Sequence, residues 1–317
     1  MKLLFKFLKI GGYSIILIVL IVSEVFGYRD IPFSELKDKY AQPPSSFTTI
    51  NGMQVHFRDE GKTTNAIPIV LIHGTGSSLH TFDDWTNTLK HSHRVIRMDL
   101  PGYGLTDPFT DSDYSIENYI HFIKQFLNEI GVEKCIIGGN SLGGHIAWRF
   151  TIANQDRVTK SLLINASGYP SKAKSVPLAF KIAEIPVLKN VFTFITPKFV
   201  ARSSVENVYF DKSKVTDELA NRYFELTLRE GNRQAFIDRL SINNSSEYYK
   251  KMPSIQQPTL VLWGDQDLLI PVEMAERFHR DLPNSTLVVL KDTGHVPMEE
   301  RPRLSLEAFE SFLSQNH

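Results

Sequence analysis

The sequence predicts an α/β fold: a mainly parallel, doubly wound sheet with an inserted helical cap subdomain. Three observations lead there. Short apolar stretches of strand length alternate with amphipathic stretches of helix length. Several of the apolar stretches are continuous, the pattern of strands buried on both faces. The alternation stops between Ser167 and about Met252 and then resumes, which marks an insertion rather than a second independent domain.

"MQVHFRDE" (53–60) alternates like a strand. "IPIVLIHG" (67–74) and "HRVIRMDL" (93–100) read as the next two strands. "SIENYIHFIKQFLNEIG" (115–131) is the clearest helix. Ile116, Tyr119, Ile120, Ile123, Phe126, Leu127 and Ile130 share one face, Ser115 can cap the start and Gly131 can end it. A strand at 134–138, a helix after Ser141 and a strand at 158–166 follow. Beyond the insertion come a strand at 258–264, a helix at 272–281, a strand at 285–291 and a last helix around 302–314. The main domain is expected over 47–317, with the cap at about 168–252. Residues 28–46 hold Pro32, Pro43 and Pro44 and read as a linker or arm.

The N-terminus differs. Lys2, Lys6 and Lys9 precede an apolar stretch from Tyr13 to Val22. That layout fits a signal peptide cut after Gly27. It also fits an uncleaved membrane anchor, if the span is counted from Leu3 to reach the ~20 residues a crossing helix needs. Both readings of 1–27 stay open, and both place the rest of the chain outside the cytoplasm. Elsewhere composition excludes more than it suggests. Lys plus Arg equals Asp plus Glu at 35 each, so no global charge argues for nucleic acid. The one cysteine, Cys135, lies in an apolar strand and leaves neither a disulfide framework nor a Cys-based zinc site. No H-E-x-x-H motif or carboxylate cluster suggests a metal. The G-x-G at 102–104 lacks the third glycine of a dinucleotide loop, so no cofactor is expected.

Gly139-Asn140-Ser141-Leu142-Gly143 fits G-x-S-x-G between a predicted strand and a predicted helix. Small residues two positions either side of the serine permit a tight turn that lifts its oxygen above the sheet. The following helix aims N–H groups and the positive end of its dipole at the same spot. A serine needs a base, and the base needs an orienting carboxylate, in the chain order Ser, acid, His. Four histidines follow Ser141. His145 lies in the next helix, His279 in a charged helix, and His317 at the end of the sequence. His295 is in a loop directly after the last predicted strand, where a positioned imidazole belongs. Asp265 and Asp267 both leave the strand at 258–264 at its C-terminal end, and spacing alone does not choose between them.

These stretches together resemble the α/β-hydrolase superfamily, in its ester-cleaving and carbon–carbon-bond-cleaving branch with a helical cap. The matching motifs are His73-Gly74-Thr75-Gly76, Asp99 through Gly104, the serine turn, Trp263-Gly264 through Pro271, and Gly294-His295 with Pro297. They span residues 50 to 317 in order. The resemblance implies Asp267, four residues before Pro271, as the acid, with Asp265 in reserve. It implies an oxyanion hole from the backbone N–H of Leu142 and of Thr75, with Gly76 as the alternative. His73 is then a structural hydrogen-bonder, and Asp99 organises its own loop.

The inserted region holds "VPLAFKIAEIPVLKNVFTFITPKFV" (176–200), apolar but for Lys181, Glu184, Lys189 and Lys198. It can pack the cap onto the domain, or roof an apolar pocket. The leading expectation is a serine hydrolase of carboxylic esters with hydrophobic acyl groups. A carbon–carbon hydrolase of dienone acids is the alternative. "GNSLGG" resembles that group, but its members commonly carry Trp after the histidine, where this chain has Val296. Epoxide hydrolases and haloalkane dehalogenases use Asp at the position of Ser141. A non-catalytic binding protein on the same scaffold ranks last, because it would tend to lose one of the three residues.

Overall fold

The computed structural model describes residues 27–61, 67–185, 191–242 and 247–315, together with Tyr13, Glu24 and Lys189. The expected signal or anchor therefore lies outside the described residues, as does His317. Among the described residues no helix is long and apolar enough to cross a membrane.

Eight strands form one sheet: β1 (Ser45–Ile50), β2 (Met53–Glu60), β3 (Ile69–Ile72), β4 (Val95–Met98), β5 (Cys135–Asn140), β6 (Val158–Ile164), β7 (Thr259–Gly264) and β8 (Ser285–Leu290). Their order is β1-β2-β4-β3-β5-β6-β7-β8. β1 and β2 pair antiparallel, β2 pairs antiparallel with β4, and every pairing from β4 to β8 is parallel. The chain moves outward in one direction from β3 to β4 and in the other from β5 to β8. The crevice at this reversal, above the C-terminal ends of β3 and β5, is where a parallel sheet builds its site. The central strands are buried at every position of β3, β4, β5 and β7, which is why they read as mainly apolar runs; the exception in β4, Arg97, is ion-paired with Glu60 at 3.0 Å.

The helices are α1 (Phe33–Tyr40), α2 (Asp83–Leu89), α3 (Ile116–Glu129), α4 (Leu142–Ala153), α5 (Leu178–Glu184), α6 (Lys198–Val208), α7 (Asp217–Thr227), α8 (Asn232–Ser241), α9 (Glu273–Asp281), α10 (Pro297–Glu300) and α11 (Pro302–Leu313). They cover both faces of the sheet, and a separate buried cluster lies on each face. α3 is capped as its sequence requires: Ser115 Oγ accepts the Asn118 N–H at 3.2 Å. It buries Ile116, Tyr119, Phe122, Ile123, Phe126 and Leu127. α5 to α8 lie in the insertion between β6 and β7.

The segment read as a linker or arm carries structure. α1 buries Leu36 against Leu105 and Leu226, a burial that contributes about 2 kcal/mol. Lys39 Nζ and Tyr40 Oη both donate to Glu225 on α7, at 2.7 and 2.9 Å. Ile31 forms a β-bridge with Arg229. The arm is bonded to the inserted helices. Its residues are mostly polar because only one side of a two-turn helix is covered.

Candidate active site

The turn between β5 and α4 is built by exclusion. Ser141 takes φ +56° and ψ −113°, a conformation an L-residue adopts only when its surroundings hold it there. A Cβ on Gly143 would overlap the Ile72 carbonyl oxygen and stand 2.6 Å from that of His73, and one on Gly139 would stand 2.5 Å from the Ile72 oxygen. Both obstacles are backbone, which cannot rotate away. Gly143→Ala is accordingly expected to cost about 3 kcal/mol, read as a fall in the urea midpoint. An unchanged midpoint would refute this packing account.

His295 lies in the loop after β8. Its Nδ1 stands 2.7 Å from Asp267 Oδ2. Asp267 also accepts Asn165 Nδ2 on Oδ2 at 2.7 Å, and the Leu269 and Ile270 N–H groups on Oδ1 at 2.8 and 2.9 Å. A carboxylate surrounded by donors is an acceptor, so His295 Nδ1 carries the proton and Nε2 the lone pair. Nε2 is buried and, among the described residues, has no hydrogen-bond partner. An orphaned buried acceptor costs about 1–3 kcal/mol. Here it is an imidazole nitrogen lining the same cavity as Ser141. Asp265 does not reach it; its Oδ1 accepts the Thr293 N–H at 3.3 Å and helps fold the histidine loop.

Thr75 and Gly76 follow β3 and line the cavity beside Ser141. The loop passes close: a Cβ on Gly74 would stand 3.1 Å from Ser141 Cβ. The Leu142 N–H opens α4 and so has no acceptor within its helix. His73 sits beneath this loop, fully buried, with Nε2 accepting the Leu100 N–H at 2.9 Å and Nδ1 donating to Gly74 O at 2.8 Å. Burial keeps its imidazole below the ordinary range and neutral. Asp99 accepts the N–H groups of Leu79 and Leu105 and the His56 ring. Burial alone would raise its carboxyl, but the His56 ring, through charge and its hydrogen bond, holds it well below the usual range.

The other histidines stand apart. His145 stacks on Trp148 at 5.0 Å, and burial, with Arg239 and Arg149, pushes it down to about 3. His279 bonds Ser285 at the surface. Burial pushes the Cys135 thiol up to about 12, which makes it inert. A second Ser–His–Asp chain also exists. Ser45 Oγ lies 2.9 Å from His56 Nε2, and His56 Nδ1 lies 2.7 Å from Asp99. Arg58 Nε also donates to that oxygen at 2.9 Å, and Ser45 does not line the cavity. Three residue types in series do not make a site without a place for substrate.

The cavity over Ser141 and His295 is roofed by the insertion. Pro177, Ala179, Phe180, Phe192, Thr196 and Val200, all from the apolar stretch, line it, and no Lys or Arg does among the described residues. Arg222, next to the lining residue Tyr223, is ion-paired with Glu299 at 3.0 Å.

A family model described as alpha/beta hydrolase fold matches residues 67–302. The chain belongs to the α/β-hydrolase family. A 2-hydroxy-6-oxononadienedioate/2-hydroxy-6-oxononatrienedioate hydrolase of Dechloromonas aromatica is 29% identical over 251 residues, covering 77% of this chain and 84% of the relative. Two solved structures share the fold. A thermophilic esterase from Thermogutta terrifontis has a TM-score of 0.71 and 23% identity, covering 85% of this chain and 97% of its own. A bacterial membrane phospholipase A has a TM-score of 0.73 and 22% identity, covering 96% and 97%.

Three residues of this hydrolase position the site and were not read from the sequence. Asn140 Nδ2 donates to His295 O at 2.9 Å. Asn165, at φ +44°, donates to Asp267. Glu300, almost fully buried, accepts the N–H groups of Gly294 and Asp211 at 2.7 Å and of Phe210 at 3.3 Å. The His295 N–H in turn donates to Val208 O at 2.8 Å. The histidine loop is thereby stitched to the inserted helices. A polar residue at the end of an otherwise apolar strand was the available signal for Asn140 and Asn165. Glu300, in a charged run, gave none.

Proposed function

We propose that this hydrolase cleaves carboxylic esters with hydrophobic acyl groups through an acyl-enzyme on Ser141. The observation that carries the reading is a largely apolar cavity lining over Ser141, with no Lys or Arg and no hydrogen-bond partner for His295 Nε2 among the described residues. His295 Nε2 takes the Ser141 proton as Oγ bonds the ester carbonyl carbon. The carbonyl electrons move to oxygen, where the N–H groups of Leu142 and Thr75 stabilise the charge. Collapse breaks the bond to the alcohol oxygen, which leaves with the proton from His295. Water then attacks the acyl-enzyme, giving its proton to His295, and the acid departs as Ser141 regains a proton. Asp267 holds the ring in the required tautomer throughout. The basic and apolar N-terminus supports export or membrane anchoring of the domain.

Carbon–carbon hydrolysis is the second reading, favoured by the Dechloromonas relative. The substrate in that relative's name carries two carboxylates, and burying a carboxylate without a cation is costly. Hydrolysis of p-nitrophenyl esters of increasing acyl length, beside a 2-hydroxy-6-oxo-dienoate, tests both. Activity that holds or rises with acyl length supports the ester reading. Turnover of the dienoate alone overturns it.

A further inference from the structure

The stretch that roofs the cavity has a second face. Phe192, Thr196 and Val200 are 3%, 1% and 2% exposed and point inward, whereas Ile185, Val191, Phe194 and Phe199 are 46%, 41%, 74% and 58% exposed. Four large apolar side chains within fifteen residues are thus partly exposed on the outside of the wall that closes the site. Between described residues of this stretch, the Lys189 N–H donates to Ile185 O at 2.9 Å and the Phe194 N–H to Val191 O at 3.0 Å. Its charges are Lys181, Lys189 and Lys198 against Glu184, and Lys181 and Lys198 are exposed. Aromatic and aliphatic residues flanked by lysines suit the boundary between anionic headgroups and acyl chains. An apolar patch of this kind marks an interaction surface.

The place where the N-terminal segment leaves the domain identifies the occupant. Arg233 Nη1 donates to Tyr28 O at 3.0 Å and, at 3.5 Å, to Thr196 Oγ1 within the same stretch. Arg233 Nη2 holds Asp30 at 2.6 Å, and the Tyr28 ring packs edge-on against Phe224 at 4.8 Å. The residues that follow the basic, apolar segment 1–27 are thus bolted to the cap through Arg233, which also reaches Thr196 in the stretch that carries the exposed phenylalanines. We infer that the outer face carried by Ile185, Val191, Phe194 and Phe199 rests on an anionic lipid bilayer surface, with the basic, apolar segment 1–27 directed to the same membrane. This does not depend on the ester reading, which concerns the inner face.

The test uses the full chain in phosphatidylcholine–phosphatidylglycerol vesicles, with a polarity-sensitive fluorophore on a cysteine introduced by Phe194→Cys. Leu304→Cys, at a site 41% exposed on α11, serves as the reference, and native Cys135 is buried. The expected result is a blue shift at position 194 on addition of vesicles. It is accompanied by loss of iodide quenching and gain of quenching by lipid-borne nitroxide, with position 304 unmoved. Full iodide access at 194 with the chain on vesicles overturns the inference and leaves the ester reading standing. Shielding that appears without vesicles and grows with protein concentration also overturns it, in favour of a second copy of the chain.

Discussion

Ser141→Ala is expected to lower kcat/KM for ester hydrolysis by about 10⁴–10⁶-fold, the range for removing a nucleophile that acts as a unit with its base. The residue left behind retains the oxyanion donors and the cavity, so the loss falls on kcat and not on KM. Ser45→Ala is the matched control. It removes the serine of the other Ser–His–Asp chain, and turnover should be unchanged while stability falls by about 1 kcal/mol as His56 Nε2 loses its donor. The two variants separate catalytic placement from residue type. The backbone at Ser141 adds a further expectation. Because φ +56° is strained for any residue with a Cβ, Ser141→Gly should be inactive yet more stable than the parent by about 1 kcal/mol, the relief of strain less the extra chain entropy of glycine. Equal loss of activity in Ser45→Ala and Ser141→Ala would break the assignment.

Much of this could be read from the sequence, for a physical reason. Strands buried on both faces must be mainly apolar, and β3, β5 and β7 are, with polar residues only at their ends. The serine turn showed itself because Gly139 and Gly143 are the only solution to backbone contact on both sides. β1 escaped notice because it is an edge strand, buried fully only at Ile50, and "SSFTTI" carries no apolar run. α1 escaped because its docking rests on one leucine and on bonds from Lys39 and Tyr40 to Glu225, 186 and 185 positions away. The choice between Asp265 and Asp267 rested on a family resemblance, since spacing could not make it. Geometry separates them through a local turn, the Leu269 and Ile270 N–H groups closing on Asp267 Oδ1. The positioning residues were illegible for a different reason. Asn140 and His295 are 155 residues apart, Asn165 and Asp267 are 102 apart, and Glu300 and Asp211 are 89 apart. No local pattern encodes such partners.

Asp267→Asn is expected to cost about 10³–10⁴ in kcat, with the fold retained, because the network around Asp267 dictates how the amide must sit. The Leu269 and Ile270 N–H groups both point at the Oδ1 position, so the amide oxygen goes there and the NH₂ takes the place of Oδ2. That NH₂ now meets two former donors, Asn165 Nδ2 and His295 Nδ1, each 2.7 Å from the replaced oxygen. Asn165 can rotate its amide and offer its oxygen, at the expense of its bond to the Gly264 N–H. His295 can respond only by moving its proton from Nδ1 to Nε2. The nitrogen facing Ser141 then holds a proton when it needs a lone pair, and base catalysis stops although every heavy atom keeps its place. A ¹⁵N NMR spectrum of the histidine would show the switch from the Nδ1–H to the Nε2–H tautomer. Asp265→Asn leaves the tautomer alone, since Asp265 Oδ1 accepts the Thr293 N–H and the His295 ring is held by Asp267, and should keep most of the activity. Near-normal turnover in Asp267→Asn, with loss in Asp265→Asn, would transfer the orienting role to Asp265.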